Sequence, residues 1–551
     1  MEDGFPSNED LQVWNKPRRD GSNAAIQSLD ASAPVALDWS PHKVYRFSMN
    51  AQRRRLGTFT LAALLLFSLT PRSASALTPA AGDPAAALYQ TSKVVRIDLK
   101  TNATLSTIGI DNYVDATFKL TMGSEVFGGT SGFGAWDIKL RLKGNRSFRS
   151  FPAKAALRLE FPSELQRVLG IKRMTLNNMI QDRSKVNEAV GYTLFRGMGI
   201  AAPRTSYAQI WVNDVPYGLY LNVESIDSVA LEKRDKVGGS DHLYEGSLGS
   251  QGNPLDPNDA HYQVDVGSLT NRDDLATLIS ASQEPAATWY ARVNAVADLK
   301  EMTRFWAVER YIGNWDGYSS PSVSNYYLHS NTDGRFQMLP WGIDQIFSGG
   351  VDNRSPYSFG YPDGGLLFKR CLTDKTCRAL YVQALRDVRD KASTLGLASL
   401  AATLHTSLAS KIATDAKDET SPTASKAAQV AASSFITARP AALNAWLAQL
   451  TRVTAPTVAG TVALGTPLSA SSGTWSYGPT PKYAYQWFRC NTAKQTTPKA
   501  LPTGCKAITT ATSATYSPTA ADRGSYLRVR VKATTPTSSA LWFSKPTAKV
   551  P

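Results

Sequence analysis

The chain has 551 residues, 42% apolar and 19% charged, which is too long for one ordinary core and too apolar for a disordered polymer. Its formal net charge is +15, but Lys and Arg are dispersed and only Arg53–Arg55 form a run, which reads as a solvated basic surface and argues against a nucleic-acid groove. Charge alone leaves attraction to anionic cell-wall polymers or acidic substrates open.

In chain order, residues 1–48 are polar text that fits no domain, and Met49 stands just before Arg53–Arg55. The apolar run Leu56–Leu69 and the small-residue pattern Ala74-Ser75-Ala76 complete the order of a secretory signal over 49–76. The run is too short for a span, which needs about 20 apolar residues, so no stable transmembrane anchor is expected. This predicts a mis-called extension (1–48), a signal peptide cleaved near Ala76, and a linker over 77–92. The alternative is a cytoplasmic tail before an uncleaved anchor.

Alternating patterns predict strands at 94–99, 113–120, 136–142 and 154–161, and then a helix from Ser184 to Met198 with Asp182 or Ser184 as N-cap and Gly199 as stop. Strands return at 206–212 and 218–224 around a turn at Asn213, followed by a long loop over 235–265. Residues 285–312 read as one amphipathic helix ending at Gly313, and 325–330 with 335–340 as a hairpin. Residues 375–449 are helical text with breaks near Glu419–Pro422 and at Pro440. Together 93–450 form one α+β domain. From about Thr454, turn-rich text with short strands predicts an all-β module over 455–551.

Four cysteines follow Ala76 in two local pairs, Cys371 with Cys377 and Cys490 with Cys505. No His lies at zinc-finger spacing, so two disulfides are expected. No G-x-S-x-G, H-E-x-x-H, Walker A lysine or Rossmann fingerprint is present.

The stretch Asn314–Phe347 carries the chemistry. Asp316 follows a helix end, Asn325 opens a strand nine residues on, and Asp344 ends a hairpin. Phosphoryl transfer needs such a set: one carboxylate to orient or deprotonate a hydroxyl, and an Asn and a second carboxylate to hold Mg²⁺.

Here the chain resembles the CotH kinase family, secreted atypical kinases. The landmarks are Leu142–Ser147, Pro152–Leu159, Asp182–Ala189, Val212–Glu224, Asn314–Phe347 and Cys371 to Cys377. The resemblance implies a divergent protein-kinase-like fold that binds ATP with Mg²⁺ or Mn²⁺. It makes Asp316 the catalytic aspartate, and Asn325 and Asp344 metal ligands. Lys154 or Arg158 would face the phosphates, Glu224 would pair with that cation or hold a metal, and Trp341 would stack on adenine or belong to the core. One departure stands out: where the family pattern has W-D-x-D, this chain has Gly342, and Asp344 alone or a nearby carboxylate such as Asp352 would have to compensate. The C-terminal text, with Asp522 and Tyr526 at a sandwich corner, resembles bacterial immunoglobulin-like modules that act as spacers or adhesion units.

The expectation is an exported kinase acting on Ser/Thr hydroxyls of extracellular or envelope proteins. The immunoglobulin-like module would engage wall or surface polymers, and no nucleic-acid partner is expected. The alternative is a catalytically inert surface protein built on the same fold.

Overall fold

The computed structural model of the protein describes residues 82–231, 240–246, 262–348, 358–360, 363–449, 452–475, 481–494, 500–535 and 538–551. The expected extension, signal peptide and first residues of the linker, and Asp352, lie outside the described residues.

Eight strands form the first sheet: β1 (Val94–Lys100), β2 (Val114–Met122), β3 (Glu125–Gly129), β4 (Asp137–Lys143), β5 (Ala156–Glu160), β6 (Arg173–Asn177), β7 (Thr205–Val212) and β8 (Val215–Glu224). Their order is β1-β7-β8-β6-β5-β4-β2-β3, and β1 also pairs with β2, so the sheet closes on itself. Only β1 and β7 run parallel. Period-two alternation fills the inside with Ile97, Leu99, Phe118, Leu120, Leu140, Leu142, Leu157, Leu159, Met174 and Ile210. The same alternation turns Arg141, Lys143, Arg158, Thr175 and Asn177 outward, and pairing aligns Arg141 with Arg158 and Arg158 with Thr175. The β7–β8 hairpin turns on Asn213 and Asp214 alone, both left-handed at φ 50° and 65°, with Val215 already in the ladder.

A second, antiparallel sheet has the order β10-β9-β11-β12, from β9 (Ser240–Gly246), β10 (Tyr262–Val266), β11 (Tyr326–Asn331) and β12 (Phe336–Pro340). Around it pack α1 (Asn187–Gly197), α2 (Asp273–Gln283), α3 (Trp289–Val296), α4 (Leu299–Ile312), α5 (Leu366–Thr373), α6 (Lys375–Thr394), α7 (Leu397–Ala413) and α8 (Pro422–Ala448). Their shared core includes Phe195, Phe305, Trp306, Leu328, Phe368, Leu385 and Leu404. Mixed α and β structure is thus as expected.

Four local expectations need correction. The long loop expected over 235–265 contains β9 and the start of β10, which pair with each other antiparallel. The single helix over 285–312 is two, because Asp298 caps Glu301 N–H (3.0 Å) to start α4 and Ala297 is extended. Helix α8 runs through Pro440: its face of Phe435, Ile436, Arg439, Leu443 and Trp446 is buried, and that burial outweighs the lost hydrogen bond. Helix α1 starts at Asn187 rather than Ser184; Asp182 instead accepts from Lys185 N–H at 3.0 Å and shapes the turn before it.

After α8 the described residues are all-β: β13 (Arg452–Thr454), β14 (Val458–Ala459), β15 (Leu468–Ala470), β16 (Thr474–Trp475), β17 (Lys482–Cys490), β18 (Cys505–Ala507), β19 (Thr515–Tyr516), β20 (Tyr526–Thr534) and β21 (Ser539–Phe543). They form small antiparallel sheets around Trp487, Leu468, Leu527 and Val529. Both expected disulfides are present, Cys371–Cys377 between α5 and α6 and Cys490–Cys505 between β17 and β18. No helix among the described residues is long and apolar enough to cross a membrane.

Candidate active site

A cleft of about 850 Å³ opens between the outward face of β4–β6 and the segments on either side of the β11–β12 hairpin. Asp316, Asn325, Asp344, Trp341 and Arg158 all line it. Lys154 and Glu224 do not.

Helix α4 sets Asp316. It ends at Gly313, left-handed at φ 70°, and the buried carboxylate of Glu309 accepts from Tyr318 N–H (2.9 Å) and Ser319 N–H (2.8 Å). A Cβ at Gly317 would lie 2.1 Å from Glu309 Oε1, so only glycine lets the loop close around that carboxylate. Asn325, itself left-handed at φ 55°, donates through Nδ2 to Asp316 O at 3.4 Å, and its own carbonyl accepts from Trp341 N–H at 3.2 Å. The asparagine thus ties the Asp316 turn to the strand exit that carries Asp344. Next to it, Gly342 has φ 55°, and a Cβ there would sit 2.8 Å from Asn325 Oδ1. The missing carboxylate of the W-D-x-D pattern falls where a side chain would press on the asparagine.

Helix α1 closes the cleft floor. A Cβ at Gly191 would reach Ile346 Cδ1 at 2.5 Å, and Asn187 Nδ2 donates to Ile346 O at 2.7 Å, so α1 lies tight against the Asp344 segment. That contact brings Glu188 into the site. Its carboxylate accepts from Asn177 Nδ2 (2.9 and 3.1 Å) and Tyr192 Oη (3.2 Å). Lys143 projects from β4 beside it, donating to Asn177 Oδ1 at 2.5 Å, with its ammonium 5.7 Å from the Trp341 ring centre.

The electrostatics are those of carboxylates crowded without enough positive charge. Burial raises Asp316 to about 6. Burial, and then the charge of Glu188, Asp182 and Asp316, raise Asp344 well above the usual carboxylate range. Burial likewise lifts Glu188 to about 6, against its bonds from Asn177 and the charge of Lys143. Burial lowers Lys143 despite Glu188 and Asp344. Among the described residues no three His, Cys, Asp or Glu side chains group closely enough to hold a metal by themselves.

Two sequence-derived assignments are corrected. Lys154 precedes β5 and points away from the cleft into a buried ion pair, with Nζ 2.6 Å from Asp415 Oδ2. Three further contacts from the α7–α8 connection flank it: Lys185 with Asp418 at 2.8 Å, Arg149 with Glu419 at 2.5 Å, and Lys417 Nζ with Pro152 O at 2.5 Å. Glu224 stands opposite Met174 in the ladder, on the inner side of the sheet, and binds Arg204 through both oxygens (2.7 and 2.8 Å). Sequence reading missed Lys143, Asn177 and Glu188. The signal for Lys143 was present in the alternation of β4, whose inward residues are Ile138, Leu140 and Leu142.

Fold and cleft together define an α+β protein with one cleft lined by buried carboxylates and flanking cations. A family model described as CotH kinase protein matches residues 140–443, more than half of the chain. The chain belongs to the CotH kinase protein family. The inner spore coat protein H of Bacillus subtilis (strain 168) is 25% identical over 184 residues, 32% of this chain and 50% of that protein, so the chain spans about half the length of the curated relative it matches.

Proposed function

We propose that the protein is an exported, CotH-type phosphotransferase with a divergent kinase-like fold, which moves the γ-phosphate of ATP to a Ser or Thr hydroxyl of a protein outside the cytoplasm. The observation that carries this is the convergence of Asp316, Asn325 and Asp344 with Lys143 and Glu188 in one cleft. Asp316, titrating near 6, accepts the hydroxyl proton near neutral pH as the acceptor oxygen bonds to the γ-phosphorus and the bond to the bridging oxygen of the departing ADP breaks. Lys143 offsets charge on the phosphates, Glu188 and Asn177 orient Lys143, and Trp341 with Arg158 walls the nucleotide side.

Asp344 and the Asn325 amide oxygen are the residues to hold Mg²⁺ or Mn²⁺. Crowded, proton-retaining carboxylates fit a cation, and so does their small number, since Mg²⁺ takes one or two carboxylates plus phosphate oxygens. When bound, the ion supplies electrophilic stabilisation of phosphate charge. The antiparallel sheets around Trp487 support the immunoglobulin-like reading of residues 455–551, and the two disulfides support an oxidising compartment.

The test is transfer of label from γ-labelled ATP with Mg²⁺ to the purified chain or a Ser-rich acceptor. Wild type should label, and Asp316→Ala and Asp344→Asn should each lose at least about a hundredfold in rate. Undiminished labelling in both variants overturns the assignment. An inert surface scaffold is the second reading, favoured by Gly342, and it predicts no labelling in any form.

A further inference from the structure

The chain's positive charge is concentrated in one place. Residues 455–551 contain eleven Lys and Arg against one Asp and no Glu, a net of +10 out of the +15 of the whole chain. That single acid is not on the surface. Asp522 is fully buried, and it accepts from Arg489 Nε (2.7 Å), Tyr516 Oη (2.6 Å) and Thr519 N–H (2.7 Å). The exposed Lys and Arg of the module therefore have no acidic side chain of the same segment beside them to neutralise them.

The β17–β20–β21 sheet arranges part of this charge. Leu527, Val529, Val531 and Ala533 of β20 face the core, so Arg528, Arg530 and Lys532 face the other way; Arg528 is buried against the carbonyls of Ser544 and Lys494, and Arg530, half-buried, and Lys532 reach solvent. Arg530 pairs in register with Gln486 and Phe543, and Lys532 with Ala484 and Leu541, so only neutral residues neighbour the cations across the strands. Lys532 and Lys482 are exposed, and the Arg530 guanidinium lies 5.6 Å from the Phe488 ring centre, which holds it in place at low entropic cost. On the same face, Phe488, Cys490 and Phe543 form a small apolar cluster beside Arg530, stapled by the Cys490–Cys505 disulfide. A rigid sheet face with like charges at strand spacing gains energy from a ligand bearing a repeated negative charge, since each contact also releases counterions.

We infer that this sheet face is a binding site for a linear polyanion outside the cytoplasm, a polymer with a phosphodiester repeat of the wall-polymer type. The disulfide favours an extracellular polymer over nucleic acid. The site is separate from the cleft and does not depend on the reaction there.

Full-length protein titrated with poly(glycerol phosphate) tests it. Binding is expected at 50 mM salt and should weaken by about tenfold or more at 200 mM. Lys482→Gln/Lys532→Gln, which changes only exposed side chains, should weaken it by about threefold or more, and adding Arg530→Gln should weaken it further. Asp344→Asn should bind the polymer like wild type, so failure at the cleft and failure here are distinguishable. No binding at 50 mM salt, unchanged binding in the triple variant with its melting temperature retained, or preference for single-stranded DNA of equal charge each overturns the inference.

Discussion

At Gly342 the backbone is left-handed, and a Cβ there would crowd the amide of Asn325. A side chain at this position costs about 1–2 kcal/mol in conformation and displaces the asparagine that links the Asp316 turn to the Asp344 segment. Gly342→Asp, which writes the family's W-D-x-D back into the chain, should therefore lower the rate of label transfer by about tenfold or more, as a displacement near 1 Å does at a reacting centre. A rise in rate would show that the asparagine yields and the carboxylate serves. The positions of Asp316, Asn325 and Asp344 in the cleft were legible from order and spacing along the chain. The raised proton affinity of Asp344 was not, because it comes from burial and then from the charge of Glu188 and Asp182, which lie at and just before the start of a helix more than a hundred residues away in sequence.

At the scale of elements, β4 and the α7–α8 connection divide two lysines that a linear reading cannot tell apart. Lys143 faces the cleft with Asn177, whereas Lys154 is buried against Asp415 and helps fasten residues 414–421 to the sheet. Lys143→Met should cut transfer by about a hundredfold or more with little change in stability. Lys154→Ala leaves a buried carboxylate unpaired and should destabilise by about 3–5 kcal/mol, with the surviving folded fraction keeping its nucleotide KM. Denaturant unfolding and steady-state kinetics on both variants check this, and a kinetic loss in Lys154→Ala without loss of stability would reverse the assignment. Strand alternation in the sheet and the hairpin turn at Asn213 were readable because they are local. The Asp415 partnership spans 261 residues and leaves no mark in nearby sequence, whereas the break at Asp298 has a local signal, an N-cap with Glu301 three residues on, which the continuous amphipathic pattern of 285–312 masked.

Over the whole molecule, the cleft holds buried carboxylates whose ionisation burial opposes, a cost that a bound cation would relieve. Asp316 and Glu188 hold their protons more tightly folded than unfolded, so their contribution favours the folded state below about pH 4 and is lost as pH rises through about 6, and Asp344, raised by burial and by those neighbours, acts with the same sign. Ligand-free protein should accordingly be more stable as Asp344→Asn than as wild type at pH 8, by roughly 2 °C or more in melting temperature, a difference that vanishes near pH 4. The α+β frame and the all-β C-terminal region followed from the sequence pattern, whereas the closure of the first sheet did not, since the β1–β2 pairing that completes it is a matter of register alone. The most direct test of the central claim is the melting temperature at pH 8 with and without millimolar ATP and Mg²⁺. If Asp316, Asn325 and Asp344 form one nucleotide–cation site, ligand at a hundred times its dissociation constant should stabilise the wild type by about 2.7 kcal/mol and Asp344→Asn by far less. No shift in the wild type, or an equal shift in the variant, would contradict it.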